Sequence, residues 1–129
     1  FVFVNADIKL AEDLAPNGVR LISVPFKKIV EPISDSVKLR KLLINMAYVG
    51  LLAELLKIPE EVMDGVVEHQ FGDKATVIES NRQAIRAGRH YVREHLTGLD
   101  FPFQASSRPG MNDHKILIDG NSAAAMGMV

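Results

Sequence analysis

The sharpest chemical signal in the sequence lies near its end, in Ile116-Leu117-Ile118-Asp119-Gly120-Asn121-Ser122-Ala123-Ala124-Ala125-Met126-Gly127. An apolar run leads into Asp-Gly-Asn, and very small residues follow. Gly120 can take the positive φ of a tight turn. Asn121 or Ser122 can cap a helix whose first amides face an anion above the strand end. Ligands of α/β proteins gather at the carboxyl ends of strands. An Asp-Gly hairpin is the rival reading, but Ser-Ala-Ala-Ala-Met is poor strand and good helix. Asn121 and Ser122 are therefore the candidate ligand-facing residues. No residue reads as a general acid or base, so no catalytic residue is assigned.

The remaining candidates point more to structure than to chemistry. Of the four histidines (His69, His90, His95 and His114), His90 and His95 are five apart on a predicted helix and point in different directions. A helical metal pair needs a spacing of three or four, so no metal site is expected. Lys27-Lys28 and the Lys38/Arg40/Lys41 cluster could hold a phosphate. With 15 basic and 16 acidic residues the net charge is −1, and a solvated face is the preferred reading of those cations. The same balance argues against nucleic acid or an anionic membrane as partner. The absence of cysteine excludes disulfides, thiolate zinc sites, iron–sulfur ligation and a Cys nucleophile within the chain. Asn45 lies in the most apolar helical segment. It is expected to be a buried brace that bonds a nearby loop or backbone. Gly50 and Gly88 are expected to admit another backbone at close range. Asn81, two helical turns before Gly88, is expected to cap or brace a neighbouring loop.

These residues are positioned by elements that the apolar pattern predicts. A chain of 129 residues, 47% apolar and 24% charged, can build one ordinary core. Phe1 to Val4 reads as a strand of a covered parallel sheet, Ile8 to Leu14 as a short helix and Val19 to Phe26 as a second strand, a βαβ pattern. A helix follows from Val37 to Lys57, opened by Ser34-Asp35-Ser36; apolar nearly all round, it should be buried. Arg40, Lys41, Glu54 and Lys57 crowd that window too closely for a membrane span. A second helix starts at Pro59 and runs to Gln70, with Val62, Val66 and Val67 on one face. A third runs from Thr76 to Leu96 with a buried stripe of Ile78, Ile85, Val92 and Leu96. Residues 99–113 read as a linker, Lys115 to Asp119 as a strand, and Ser122 onward as a helix. The chain starts in a strand and stops in a helix, which predicts a piece of a longer protein.

Three blocks carry a family resemblance. Asn45-Met46-Ala47-Tyr48-Val49-Gly50 is similar to an Asn-Met-x-x-x-Gly helix. Asn81-Arg82-Gln83-Ala84-Ile85-Arg86-Ala87-Gly88 is similar to an Asn-x-x-Ala-x-x-x-Gly helix. Asp119-Gly120-Asn121-x-Ala-Ala-Ala-x-Gly127 resembles the opening of a thiamine-enzyme domain. Together, in this order, they resemble the alpha subunit of 2-oxoacid:acceptor (ferredoxin) oxidoreductases in which a gamma-type domain precedes the alpha domain.

The resemblance implies an α/β fold: residues 1–98 as the second half of a Rossmann-like gamma-type domain with a long buried helix, 99–113 as linker, and 114–129 as the first strand and helix of the alpha domain of pyrimidine-binding type. It implies coenzyme A-dependent oxidative decarboxylation of a 2-oxoacid with reduction of ferredoxin. Thiamine diphosphate and Mg²⁺ act in the complete enzyme, and the iron–sulfur cluster lies on another subunit or domain. This segment alone holds no cofactor and is expected to be inactive. The implied partners are a thiamine-binding beta subunit and ferredoxin in a cytoplasmic hetero-oligomer. Asn121 and Ser122 become substrate-binding residues, with Asn45, Gly50, Asn81, Gly88 and Gly120 structural. Related pyruvate enzymes carry Thr where Ser122 stands, and fused relatives often carry Glu. The fused arrangement favours 2-oxoglutarate over pyruvate. The alternatives are a non-catalytic α/β scaffold or subunit-docking domain, and a module binding coenzyme A or a nucleotide near residues 38 to 41.

Overall fold

The computed structural model describes residues 1–9, 18–116 and 118–127. Strands β1 (Val2–Asn5) and β2 (Leu21–Val24) pair in parallel, with Phe3 opposite Ile22 and Asn5 opposite Val24. The expected parallel pairing of these two strands is present. Most of the helix expected over residues 8–14 lies outside the described residues. Among the described residues the sheet is covered on one side: Val24 is fully buried and Phe3 and Ile22 pack on the core, whereas Val2 and Leu21 are exposed.

Helix α1 (Phe26–Val30) leaves β2 directly and passes through a 3₁₀ turn (Glu31–Ile33). Helix α2 (Val37–Leu55) then begins at Ser36, whose hydroxyl oxygen accepts from the Leu39 amide at 3.3 Å. Helices α3 (Glu60–Phe71) and α4 (Ala75–His95) follow. The three expected helices are thus present with ends shifted by one or two residues.

The core is a sandwich of α2 on α4, closed at one end by α1 and the sheet. Phe26, Val30, Leu43, Ala47, Leu51, Leu55, Ala84 and Val92 form its buried centre. The α2–α4 contact is made possible by glycine. A Cβ built on Gly50 would lie 2.0 Å from the Ile85 carbonyl oxygen, and one on Gly88 would lie 2.0 Å from that of Ala47. Both glycines therefore admit backbone, as expected.

Other expectations are corrected. Helix α2 is not buried all round: Val37 and Leu42 are exposed. Its core face runs through Leu43, Ala47, Gly50 and Leu51, and the opposite face is exposed at Lys38, Leu42 and Asn45. Asn45 is on that opposite face and exposed, so it is not a buried brace. Its position is about 200° around the helix from Leu43, at 3.6 residues per turn. On α3 only Val67 is buried, while Val62 and Val66 face solvent. That helix meets α4 through carboxylates instead. Glu60 receives Arg86 at 2.8 Å, Asp64 receives Arg82 at 3.1 Å, and Glu68 also pairs with Arg82.

The start of the expected linker belongs to the core. Leu99 and Phe101 pack against it. The Phe101 ring lies 5.5 Å from Phe1 and 6.4 Å from Phe3, and the Ala105 amide donates to the Leu56 carbonyl at 2.9 Å. No strand forms at 115, 116, 118 or 119; the described sheet contains only β1 and β2, which gives that run no ladder to join. A final helix, α5, spans Gly120–Met126.

Candidate functional site

The Asp119–Ser122 turn folds as a helix start and not as a hairpin, but its parts differ from expectation. The cap is Asp119, extended at φ −73°, ψ 160°. Its Oδ1 accepts from the Ser122 amide at 3.0 Å, and its Oδ2 accepts from the Ser122 hydroxyl at 2.7 Å. The Ser122 hydroxyl and then its amide hold the Asp119 carboxyl below the ordinary aspartate range. Gly120 is the first helical residue, not a positive-φ turn. Asp119 is already a strong cap in extended conformation, so the chain needs no left-handed residue to enter the helix. Every described residue from 118 to 127, Asn121 and Ser122 among them, is exposed.

Asn81 is buried, as a helix-facing amide must be to act structurally, but it serves its own helix. Its Nδ2 donates to the Val77 carbonyl at 2.7 Å, one turn back. Histidines pair locally: His90 lies 3.2 Å from Glu94, and His95 stacks on Tyr91 at 4.5 Å. Among the described residues no group of three or more His, Asp or Glu is placed to hold a metal. No helix among them is long and apolar enough to cross a membrane.

A polar cluster unforeseen in the sequence joins α2 to α4. Arg89, buried at 4% exposure, donates to Glu54 Oε2 at 3.0 Å and to the Ile58 carbonyl at 2.6 Å. Arg93 grips both Glu54 oxygens, at 2.7 and 2.8 Å. Arg93, and then Arg89, hold the Glu54 carboxyl below the ordinary glutamate range against the opposing push of burial. The signal was present as Arg82, Arg86, Arg89 and Arg93, spaced four, three and four, which is one helical face.

The two basic clusters of the sequence meet. Lys27 and Lys28 of α1 and Arg40 and Lys41 of α2 line one cavity of about 210 Å³, with Val30 and Ile44 among its apolar lining. Lys27 also reaches Asp7 at 3.2 Å, and Arg40 donates to the Ser34 carbonyl at 3.0 Å.

These features define an α/β unit in which two long helices are locked by reciprocal glycines and a capped small-residue helix lies at the far end of the chain. The family of pyruvate ferredoxin/flavodoxin oxidoreductases matches residues 1–91, and the chain belongs to that family. It is 28% identical over 130 aligned positions to the alpha subunit of 2-oxoacid:ferredoxin oxidoreductase 2 from Aeropyrum pernix. That similarity covers 98% of this chain and 20% of the relative, so the chain spans about a fifth of the relative's length. No solved structure matches it.

Proposed function

We propose that this chain is part of the alpha subunit of a 2-oxoacid:ferredoxin oxidoreductase. Residues 1–98 are the second half of a gamma-type domain, 99–113 the connection, and 114–129 the start of the alpha domain. The reaction is oxidative decarboxylation of a 2-oxoacid with coenzyme A. Carbon dioxide leaves, the acyl group passes to the thiol, and the electron pair passes to ferredoxin through iron–sulfur clusters. The observation carrying this reading is that similarity to the Aeropyrum pernix subunit extends over 98% of the chain.

Thiamine diphosphate with Mg²⁺ supplies the electron sink for decarboxylation. The chain has no cysteine to hold an iron–sulfur cluster, and the reading places thiamine diphosphate and Mg²⁺ outside this segment as well. Those groups belong to other parts of a cytoplasmic hetero-oligomer that includes a thiamine-binding beta subunit. This chain's own contribution to substrate is Asn121 and Ser122. The Asn121 amide can donate to the oxoacid carboxylate. The Ser122 hydroxyl, which now donates to Asp119, can do so after turning away from it. The fused arrangement favours 2-oxoglutarate over pyruvate.

The test is reduction of ferredoxin by the complete complex, with thiamine diphosphate, Mg²⁺ and coenzyme A, across a series of oxoacids. The expected result is turnover with the highest kcat/KM for 2-oxoglutarate. Absence of turnover with every oxoacid overturns the reading.

One observation favours a second reading, a non-catalytic subunit-docking domain. Met111, Ile116 and Met126 are each at least half exposed, which suits a surface covered by another subunit. Such a protein would assemble with its partner and show no thiamine-dependent turnover.

A further inference from the structure

We propose that α3 is a flap latched onto α4 by ion pairs, which opens as a unit while the α2–α4 core stays folded. This motion stands apart from the reaction above and does not depend on it.

Little apolar surface holds α3 in place. Of its twelve residues only Val67 is buried, whereas α2 and α4 each bury six. Buried apolar contact is what separates the firm parts of a fold from those that open locally. Among the described residues no backbone hydrogen bond ties 60–70 to another element. What joins α3 to α4 is charge. Arg82 holds Asp64 and Glu68, and Arg86 holds Glu60 at 2.8 Å and Asp64 at 3.7 Å. All five side chains reach solvent, at 22 to 61% exposure, so each pair is weak and screened by salt. Halfway along α3, a Cβ on Gly65 would meet nothing within 4 Å. That glycine weakens the helix without admitting a neighbour.

The connections permit the motion. Ile58 is fixed, since its amide donates to the Ala53 carbonyl at 2.8 Å and its carbonyl accepts from Arg89 at 2.6 Å. The chain then enters α3 through Pro59, extended at φ −57°, ψ 149°, and leaves it through Gly72 at φ 56°, ψ −125°, a conformation that glycine adopts freely. Hinges absorb dihedral change at a few such terminal positions. Opening takes the carboxylates away from Arg82 and Arg86, while Arg89 and Arg93 keep Glu54 of α2. The motion therefore turns a neutralised flank of α4 into a cationic one.

A twelve-residue helix is marginal in water once detached, so opened α3 exchanges its amide hydrogens. The test is hydrogen–deuterium exchange of the complete protein, read by mass spectrometry on peptides from α2, α3 and α4. Expected is exchange in 60–71 that is at least about tenfold faster than in 43–55 and 82–92. Raising salt from about 0.05 M to about 1 M should speed 60–71 by about threefold more and leave the other two segments unchanged. Arg82→Gln with Arg86→Gln should remove most of the protection of 60–71. Gly65→Ala should slow exchange there about threefold. Circular dichroism and retained protection of 43–55 show that the double variant folds; the salt series and Gly65→Ala decide the matter whether or not it does. Protection of 60–71 equal to that of 82–92 in the wild type, as when another part of the complete protein clamps Val62 and Val66, overturns the proposal. So does exchange in 60–71 that neither salt nor Gly65→Ala alters.

Discussion

Gly50 packs directly on the backbone of Ile85: any Cβ at Gly50 would lie 2.0 Å from the Ile85 carbonyl oxygen and 2.7 Å from its carbonyl carbon. Gly88 repeats the arrangement in reverse against Ala47. The two helices that carry most of the core are therefore in contact through main chain, and neither can be moved without losing both contacts.

Substituting either glycine by alanine should destabilise the protein. Alanine gains about 1 kcal/mol of helix propensity. It must also force a carbonyl aside, and overpacking costs about 1–3 kcal/mol or more. Because the obstacle is backbone, the upper end applies, and a net loss of about 2 kcal/mol is expected. Gly65, exposed on α3 with nothing within 4 Å of a built Cβ, is the control. Gly65→Ala should stabilise by roughly 0.5–1 kcal/mol. Urea unfolding midpoints measure all three.

The Glu54 cluster predicts a pH dependence with a definite sign. The folded Glu54 carboxyl is held below its unfolded value by Arg93 and Arg89. Its stabilisation is fully present above the ordinary glutamate range and is lost as pH falls through the lowered folded value. Glu54→Gln leaves the buried Arg89 uncompensated and should cost roughly 3 kcal/mol at neutral pH. The gap between wild type and variant should narrow as the solution is acidified below the ordinary glutamate range. A gap independent of pH would remove the charge from the account.

Asn45 and Asn81 should separate cleanly. Asn45 is exposed, so Asn45→Ala should change stability by no more than about 0.5 kcal/mol. Asn81 is buried and donates to Val77, so Asn81→Ala should cost about 1 kcal/mol. Thermal melts of the two variants give the comparison.

The segment after α4 should be cut by protease in its second half. Phe101 lies on Phe1 and Phe3, and the Ala105 amide is bonded to Leu56. Residues 106–114 are exposed throughout. Limited proteolysis should open the chain within 106–114 and spare 99–105. Phe101→Ala should move cleavage toward Leu99.

Ser122→Ala tests the proposed substrate end. In the complete enzyme it should raise KM for the oxoacid or lower kcat, through loss of one hydroxyl donor. Asp119→Asn should act less, since an asparagine cap still accepts from the Ser122 amide. Steady-state kinetics indistinguishable from wild type in Ser122→Ala would take Ser122 out of the site.

The sequence by itself determined the helices, the parallel strand pair and the glycine contacts, because these follow from local signals. Ser36 caps α2, apolar periodicity marks α4, and a glycine inside an apolar helix is costly unless something approaches it. It also carried the family resemblance, through blocks that fall on α2, α4 and α5. What only the tertiary structure decided was which way each surface faced. Asn45 faces solvent because the α4 contact selects the Leu43–Ala47–Gly50 side of α2, and no property of Asn45 chooses that side. Val62 and Val66 are exposed because the Arg82 and Arg86 pairs turn the Glu60–Asp64 face of α3 toward α4. Asp119 displaced Gly120 from its expected role because a capping hydrogen bond needs only an extended residue with a side-chain oxygen. The joining of Lys27 and Lys28 to Arg40 and Lys41 was invisible along the chain for the same reason. Spacing fixes neighbours within an element, whereas the meeting of two elements depends on packing that no single segment encodes.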